Sequence, residues 1–221
     1  MRAAAALIQW EEQQFTPEQI AWIIRKVIND RRQHRRVNDD DLKLVLTGPE
    51  SPGLPIRDTA AVVHELFLAA QQSVVIAGYA IYHGQRVFKA LAQRMAKMPD
   101  LKVRMFLDVV LSQGHTTNSV KNVDEVFADH FKTSEWPIGY PLPEVFCYTR
   151  SSTANNDRSP MHAKCVVVDG KTAFISSANF TDAAQERNIE VGVLIHTTSI
   201  AERLTQHFEG LLLCGHFRRV L

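Results

Sequence analysis

From residue 58 onward, apolar residues at helical spacing alternate with short β-branched runs, and this alternation constrains the fold more than any other feature. Asp58 to Gln72 places Val62, Val63, Leu66, Phe67 and Ala70 on one face of a helix. Ser73 to Gly78 (SVVIAG) reads as a short buried strand. Gln85 to Lys97 is again helical and is stopped by Pro99. Leu101 to Val109 is a strand, Val120 to Lys132 a helix, and Glu144 to Tyr148 a strand. This βαβαβ rhythm predicts an α/β fold with a largely parallel sheet. The segments Gly48 to Gly53 and 150–160 (RSSTANNDRSP) are turn-rich and read as loops.

The first 47 residues differ in character and predict a helical extension ahead of an α/β domain over 48–221. Thr16 as N-cap with Pro17 at the first helical position marks a helix start. Ile20, Ile23, Ile24, Val27 and Ile28 follow at helical spacing. A basic cluster comes next (Arg31, Arg32, Arg35, Arg36, with His34 between), then Asp39, Asp40 and Asp41. Asp39 or Asp40 is placed to cap a short helix running through Leu46. The basic cluster reads as a solvated helix face, with a phosphate-backbone contact as the alternative.

Charge and cysteine content narrow the function classes. Lys+Arg is 25 and Asp+Glu is 24, for a formal net charge of +1. Nucleic-acid binding by a chain this close to neutral has to come from a local patch. Cys147, Cys165 and Cys214 form no CxxC and no pairable framework, which excludes a disulfide scaffold and a structural zinc site. The short apolar run near the N-terminus, followed at once by Glu11 and Glu12, falls short of a signal sequence. No stretch is long and apolar enough to span a bilayer. A cytoplasmic protein with no membrane partner is therefore expected.

The chemistry concentrates in MHAKCVVVDGKTAFISSANFTDAAQERNIEVGVLI, residues 161–195. His162, Lys164 and Asp169 spell H-x-K-x4-D around the strand run Cys165 to Val168. Side chains alternate along extended backbone, so His162 and Lys164 project from one face. Asp169-Gly170 is a hairpin turn, and the chain returns through Thr172 to Ser176. Ser177 and Asn179 form a second i, i+2 pair, Thr181-Asp182 opens a short helix, and Asn188-Ile189-Glu190 leads into another strand. The hairpin thus gathers an imidazole, an ammonium, a hydroxyl and a carboxamide. That set suits a phosphoryl group: a cation and neutral donors hold the non-bridging oxygens while a nitrogen nucleophile faces phosphorus. None of these residues has metal-ligand spacing. Elsewhere, Tyr79 and Tyr82 follow Gly78 at the carboxyl end of a strand, where open α/β sheets place their sites. Either, Tyr79 first, is a candidate to stack a base, with core or rim packing as the alternative. Arg57, just before the helix start at Asp58, is a candidate phosphate contact, and Asp108 at the end of the next strand reads as structural.

The segment HAKCVVVDGKTAFISSANFTDAAQERNIE resembles the HKD signature of the phospholipase D superfamily, H-x-K-x4-D followed by Gly-Ser and Asn, and reads H-x-K-x4-D-x6-S-S-x-N here, with Ser176 in place of the Gly. The resemblance runs on through Glu190 and, more loosely, over residues 48–214. It implies a phospholipase D-like mixed sheet flanked by helices. It also implies a phosphodiesterase that needs no metal or cofactor, with His162 as nucleophile or acid. Lys164 and Asn179 would bind phosphate oxygens and Ser177 would support them. Asp169 and Glu190 would orient imidazoles. The family's cycle uses two such histidines, and the other H-x-K here, His130-Phe131-Lys132, lacks the Asp and reads as a helix end. Single-motif members of the family pair as two-fold homodimers, so the resemblance implies a homodimer with the site at its interface. Segments 46–66, 73–84 and 101–109 further resemble a branch of the superfamily found in DISARM anti-phage defence. That likeness points to nucleic acid, phage DNA first, as substrate and to other defence-system proteins as partners. A phospholipid hydrolase and a non-catalytic or dispensable subunit of a defence complex are the competing readings.

Overall fold

The computed structural model describes residues 15–33, 41–49, 57–79, 81–108, 123–148 and 160–221. The N-terminal segment 1–14, residues 34–40 with Asp39 and Asp40, and most of the expected loops at 48–53 and 150–160 lie outside the described residues. So do the side chains of Arg31 and Arg32. The chain divides into two compact units, 1–38 and 39–221.

In the first unit, helix α1 spans Pro17–Gln33. Gln19 N donates to Thr16 Oγ1 at 3.3 Å, and Thr16 N donates to Gln19 Oε1 at 2.9 Å. This reciprocal capping box satisfies two otherwise unpaired backbone donors and fixes the helix start at the Thr16-Pro17 signal.

The second unit contains, in order, β1 (Leu42–Thr47), β2 (Arg57–Asp58), α2 (Thr59–Ala69), β3 (Ser73–Gly78), β4 (Ile81–Tyr82), α3 (Gly84–Val87), α4 (Lys89–Lys97) and β5 (Lys102–Leu107). After these come α5 (Val123–His130), a π-helical turn (Phe131–Glu135), β6 (Glu144–Tyr148), β7 (Cys165–Val168), β8 (Thr172–Ser176), β9 (Phe180–Thr181), α6 (Asp182–Glu186), β10 (Glu190–Ile195), α7 (Thr198–Leu213) and β11 (Phe217–Arg219). Among the described residues, one 9-stranded sheet has the order β11-β6-β5-β3-β7-β8-β10-β1-β2, and β4 pairs with β9 in a small ribbon.

Two expectations are corrected here. The helix predicted through Leu46 is instead strand β1, paired antiparallel with β10 from Leu42↔Ile195 to Thr47↔Glu190. The segment LKLVLT has a two-residue period, with Lys43, Val45 and Thr47 on one face and the leucines on the other, and a ladder partner decides in favour of the strand. The second compact unit takes in β1 and runs from residue 39. The sheet is mixed, as the family resemblance implied, where the βαβ rhythm alone suggested a largely parallel one. β3, β5 and β6 run parallel, but every pairing from β3 through β7, β8 and β10 to β1 is antiparallel. The βαβ rhythm reports only the first half of the domain; short turns build the second.

Alternation along the strands sorts the core into two layers. Val74, Ile76, Val103, Met105, Val166 and Val168 face α2 and α4, packing with Phe67, Leu91, Phe131 and Trp136. Val75, Ala77, Phe106, Cys165, Val167 and Ala173 face the other way, against Ala201 and Phe208 of α7. Helices on both faces bury β3 and β7 completely or nearly so, and a buried central strand is a rigid mount for whatever follows its end.

Candidate active site

The motif side chains gather at one end of the sheet, around the carboxyl end of β3 and the start of β7. Met161 packs in the α7 layer, with the half-buried Ala163 against it. Alternation therefore turns His162 and Lys164 the other way. His162 is exposed, whereas Lys164 is buried, at 8% exposure. Lys164 Nζ lies 3.1 Å from His162 Nδ1 and 3.2 Å from Nε2, and donates to the His162 carbonyl at 3.0 Å. An ammonium nearly equidistant from both ring nitrogens cannot lie on both of their diverging lone pairs, so at most one of the two contacts is a well-aligned hydrogen bond. Burial pushes the Lys164 ammonium below its ordinary range, and the charge of Glu190 opposes that shift.

Tyr79, the residue after β3, packs against this pair. Its ring centroid is 4.7 Å from that of His162, with the planes inclined at 55°. Lys164 Nζ lies 5.6 Å from the same ring. Asp108, buried after β5, holds the floor. Its backbone N–H donates to the Gly78 carbonyl at 3.2 Å, and its Oδ2 accepts from Met161 N at 3.3 Å. This clamp pins the His162 segment to the two central parallel strands, in keeping with the structural reading of Asp108.

The hairpin ladder continues past β7 and β8, where Ser176 N donates to the Lys164 carbonyl at 3.1 Å. That bond brings residues 176–179 alongside 161–164. Ser177 Oγ donates to Glu190 Oε2 and accepts from Val191 N at 3.1 Å. Asn188 Nδ2 donates to Glu190 Oε1 at 3.1 Å. Both oxygens of Glu190 are thus held, one by each neighbour. Asn179 has its Oδ1 buried with no donor among the described residues. Its carbonyl accepts from Thr181 N at 2.9 Å and from Gln185 Nε2 at 3.2 Å.

Two expected site residues lie elsewhere. Asp169 is at the opposite end of β7 from His162, and the four residues of that strand alone span roughly 13 Å. Its carboxylate accepts from Gln71 N (3.1 and 3.2 Å), Gln72 N (2.7 Å) and Ser73 N (2.9 Å). It occupies the left-handed region (φ 53°) in the hairpin turn, followed by Gly170 at φ 62°. Asp169 therefore ties the hairpin to the α2–β3 loop and orients no imidazole of its own chain. Arg57 sits on edge strand β2, four strand spacings from β7, or roughly 19 Å at ordinary sheet geometry, and forms an ion pair with Glu65. It is not a phosphate contact of this site. His130 closes α5 and pairs with Glu135 at 3.2 Å, which leaves the second H-x-K a helix end.

Asn188 and Gln185 are the polar contributors that sequence reasoning missed. Asn188, two residues before Glu190, carried a usable signal in the i, i+2 spacing on an extended segment. Gln185, in a short helix among alanines, carried none. Cys147 and Cys165 are buried and their thiols are pushed up to about 12, so neither offers a competing nucleophile. Among the described residues, no three His, Cys, Asp or Glu side chains cluster to hold a metal ion, and no helix is long and apolar enough to cross a membrane.

Comparison with known proteins gives the family and the fold. A family model described as Cardiolipin synthase, PLD-like domain, matches residues 63–212. The DISARM protein DrmC of Bacillus paralicheniformis is 27% identical over 178 residues, which is 78% of this chain and 62% of that protein. The chain thus spans less than two thirds of that relative's length. Among solved structures, NucT from Helicobacter pylori is similar with a TM-score of 0.54 at 21% identity, covering 77% of this chain and 96% of that one. The phospholipase D family member Nuc from Salmonella typhimurium gives 0.50 at 20% identity, covering 80% and 96%. Phosphatidylserine synthase from Haemophilus influenzae gives 0.51 at 14% identity, covering 80% and 39%. The structural likenesses establish the shared fold. The family match runs unbroken from α2 through the His162 hairpin into α7, and on it the chain belongs to the phospholipase D-like domain family.

Proposed function

We propose that the chain is a metal-independent phosphodiesterase that cleaves nucleic acid, DNA first, through a phosphohistidine on His162. It acts as a symmetric homodimer in cytoplasmic antiviral defence, beside other proteins of a DISARM-type system. The observation that carries the reading is the pairing of an exposed imidazole with a buried ammonium about 3 Å away. The imidazole is open to substrate, and the ammonium stands where a phosphoryl oxygen would need it. Lys164 supplies the charge stabilisation for which many phosphodiesterases recruit a divalent cation.

In the first half-reaction an imidazole nitrogen of His162 attacks phosphorus. The P–N bond forms, the P–O bond to the leaving group breaks, and that oxygen takes a proton from the second histidine. In the second half, that histidine removes a proton from water, the hydroxide attacks phosphorus and the P–N bond breaks. Lys164 and Asn179 hold the non-bridging oxygens throughout, while Ser177 and Asn188 fix Glu190. One H-x-K-x4-D motif per chain leaves the proton carrier to a second copy, and a two-fold axis supplies it as His162 of that copy. Doubling Lys164 there brings two ammonium groups to a polyanion despite the near-neutral chain, and Asn179 of each copy adds a neutral donor.

A phospholipid diester is the competing substrate. Ile189 and Val191, on either side of Glu190, are 79% and 54% exposed, an apolar rim that suits an acyl surface. Purified protein incubated in EDTA with labelled single- and double-stranded DNA, RNA and phospholipid vesicles separates the readings, with His162→Ala as control. Cleavage of nucleic acid that His162→Ala abolishes supports the proposal. Hydrolysis of vesicles alone favours the lipid reading, and a strict need for Mg²⁺ or Mn²⁺ overturns the mechanism.

A further inference from the structure

We infer that Tyr79 is a positioning residue: its ring fixes the imidazole of His162 for attack, and does not stack a base of the substrate. The inference rests on the phosphodiesterase reading of the site and deepens it.

His162 is exposed and lies on the non-strand segment ahead of β7. An exposed imidazole with nothing against it samples several rotamers, yet an in-line attack on phosphorus needs one. Tyr79 meets that need from the most rigid mount available. It follows β3, a strand paired on both sides and buried on both faces. Gly78 before it lies close under the Phe180 ring, which an added Cβ would meet at 2.8 Å. The His162 segment hangs from the same floor through Asp108 and Met161 N. Ring and imidazole are therefore referred to one frame.

The contact geometry fits positioning. At 4.7 Å and 55° the imidazole leans on the Tyr79 ring, while its nitrogens face the Lys164 ammonium. Lys164 Nζ stands 5.6 Å from the same ring, so one aromatic side chain touches both the attacking group and the cation that receives the phosphate. The imidazole is thus the ring's partner in the structure, and whether a base shares the ring is what the test decides.

The test uses Tyr79→Leu, which removes the ring but keeps apolar bulk, and Tyr79→Phe, which keeps the ring. The substrates are an end-labelled DNA oligomer and an oligomer of abasic tetrahydrofuran units that has no base to stack. Tyr79→Leu is expected to lower kcat on both by on the order of 10²-fold, the cost of a small misplacement, with KM within about twofold. Tyr79→Phe restores kcat. A rise in KM on DNA with the abasic oligomer unaffected would overturn the inference in favour of base stacking.

A second readout needs no turnover. Diethyl pyrocarbonate modification of His162, followed by peptide mass spectrometry, should quicken in Tyr79→Leu and stay at the wild-type rate in Tyr79→Phe. An unchanged rate in Tyr79→Leu overturns positioning. If wild-type protein cleaves no diester while this difference persists, the phosphodiesterase reading has failed and the contact has not. Should Tyr79→Leu fail to fold, Tyr79→Met carries the same readouts.

Discussion

Replacing Asp169 by alanine should unfold the protein more easily and leave the chemistry of each folded molecule intact. The magnitude follows from what its carboxylate holds. Ser73 N is half-buried, and a donor stripped of a charged acceptor there costs about 1–3 kcal/mol. Gln71 and Gln72 are exposed, so water replaces the carboxylate at their amides for little. Asp169 sits at φ 53°, a conformation that costs alanine about 1 kcal/mol or more. The sum is about 3 kcal/mol, which lowers the Tm by roughly 6–12 °C for a chain of this size. Asp169→Asn keeps one acceptor oxygen and tolerates the left-handed backbone, so it should lose about half as much. Urea unfolding followed by tryptophan fluorescence measures this, since Trp136 is 1% exposed in the core. Activity is then normalised to folded protein. An Asp169→Ala variant that keeps its stability within about 0.5 kcal/mol but loses cleavage would refute the argument and return Asp169 to an imidazole-orienting role.

Three further outcomes are expected. Mixing wild-type with His162→Ala protein should give heterodimers that bind substrate but do not turn over, as sedimentation with activity assays would reveal; heterodimers keeping half of wild-type activity would place the second proton carrier within one chain. Lys164 is held below its ordinary value of 10.5 by burial, so the unfolded chain binds its proton more tightly than the folded one. Stability should rise with pH through the window just below 10.5; Lys164→Met, thermally unfolded across that range, should lose this rise and also lose activity. Gly78→Ala places a Cβ 2.8 Å from the Phe180 ring, and chemical denaturation should show a cost of about 1–3 kcal/mol; a neutral substitution would mean that β3 yields more than its burial implies.

The part of the site legible in the sequence was the part built by local geometry. The i, i+2 spacing of His162 and Lys164, the Asp169-Gly170 turn and the Ser177–Asn179 pair are each decided within a few residues, and a hairpin needs nothing else to bring them together. Asp169 was misread because the family signature states that a residue is needed, not where it points. Its partners lie 96–98 residues away, beyond the reach of any spacing argument. Arg57 failed for a similar reason: its neighbour Glu65, eight positions along, takes the guanidinium first. β1 was read as helix because three aspartates resemble a cap, whereas its strand partner lies at the far end of the domain. The sheet's antiparallel half was underestimated because β8 and β10 are joined by a tiny helix whose brevity hides the reversal. Tyr79 was visible as a site residue, but only coordinates could show that its ring faces His162.

The pairing of β1 with β10 sets an order of events during synthesis. Thr47 leaves the ribosome about 140 residues before its partner Glu190, a wait of roughly 7–30 s at ordinary elongation rates. For that interval LKLVLT is a nascent segment of high strand propensity, and Leu44 remains 65% exposed even when folding is finished. Glu190 is then among the last motif groups to arrive, so His162 and Lys164 emerge before the carboxylate that completes their site. Until β10 is made, β1 is an apolar strand without its ladder partner, the kind of exposed edge that chaperones shield.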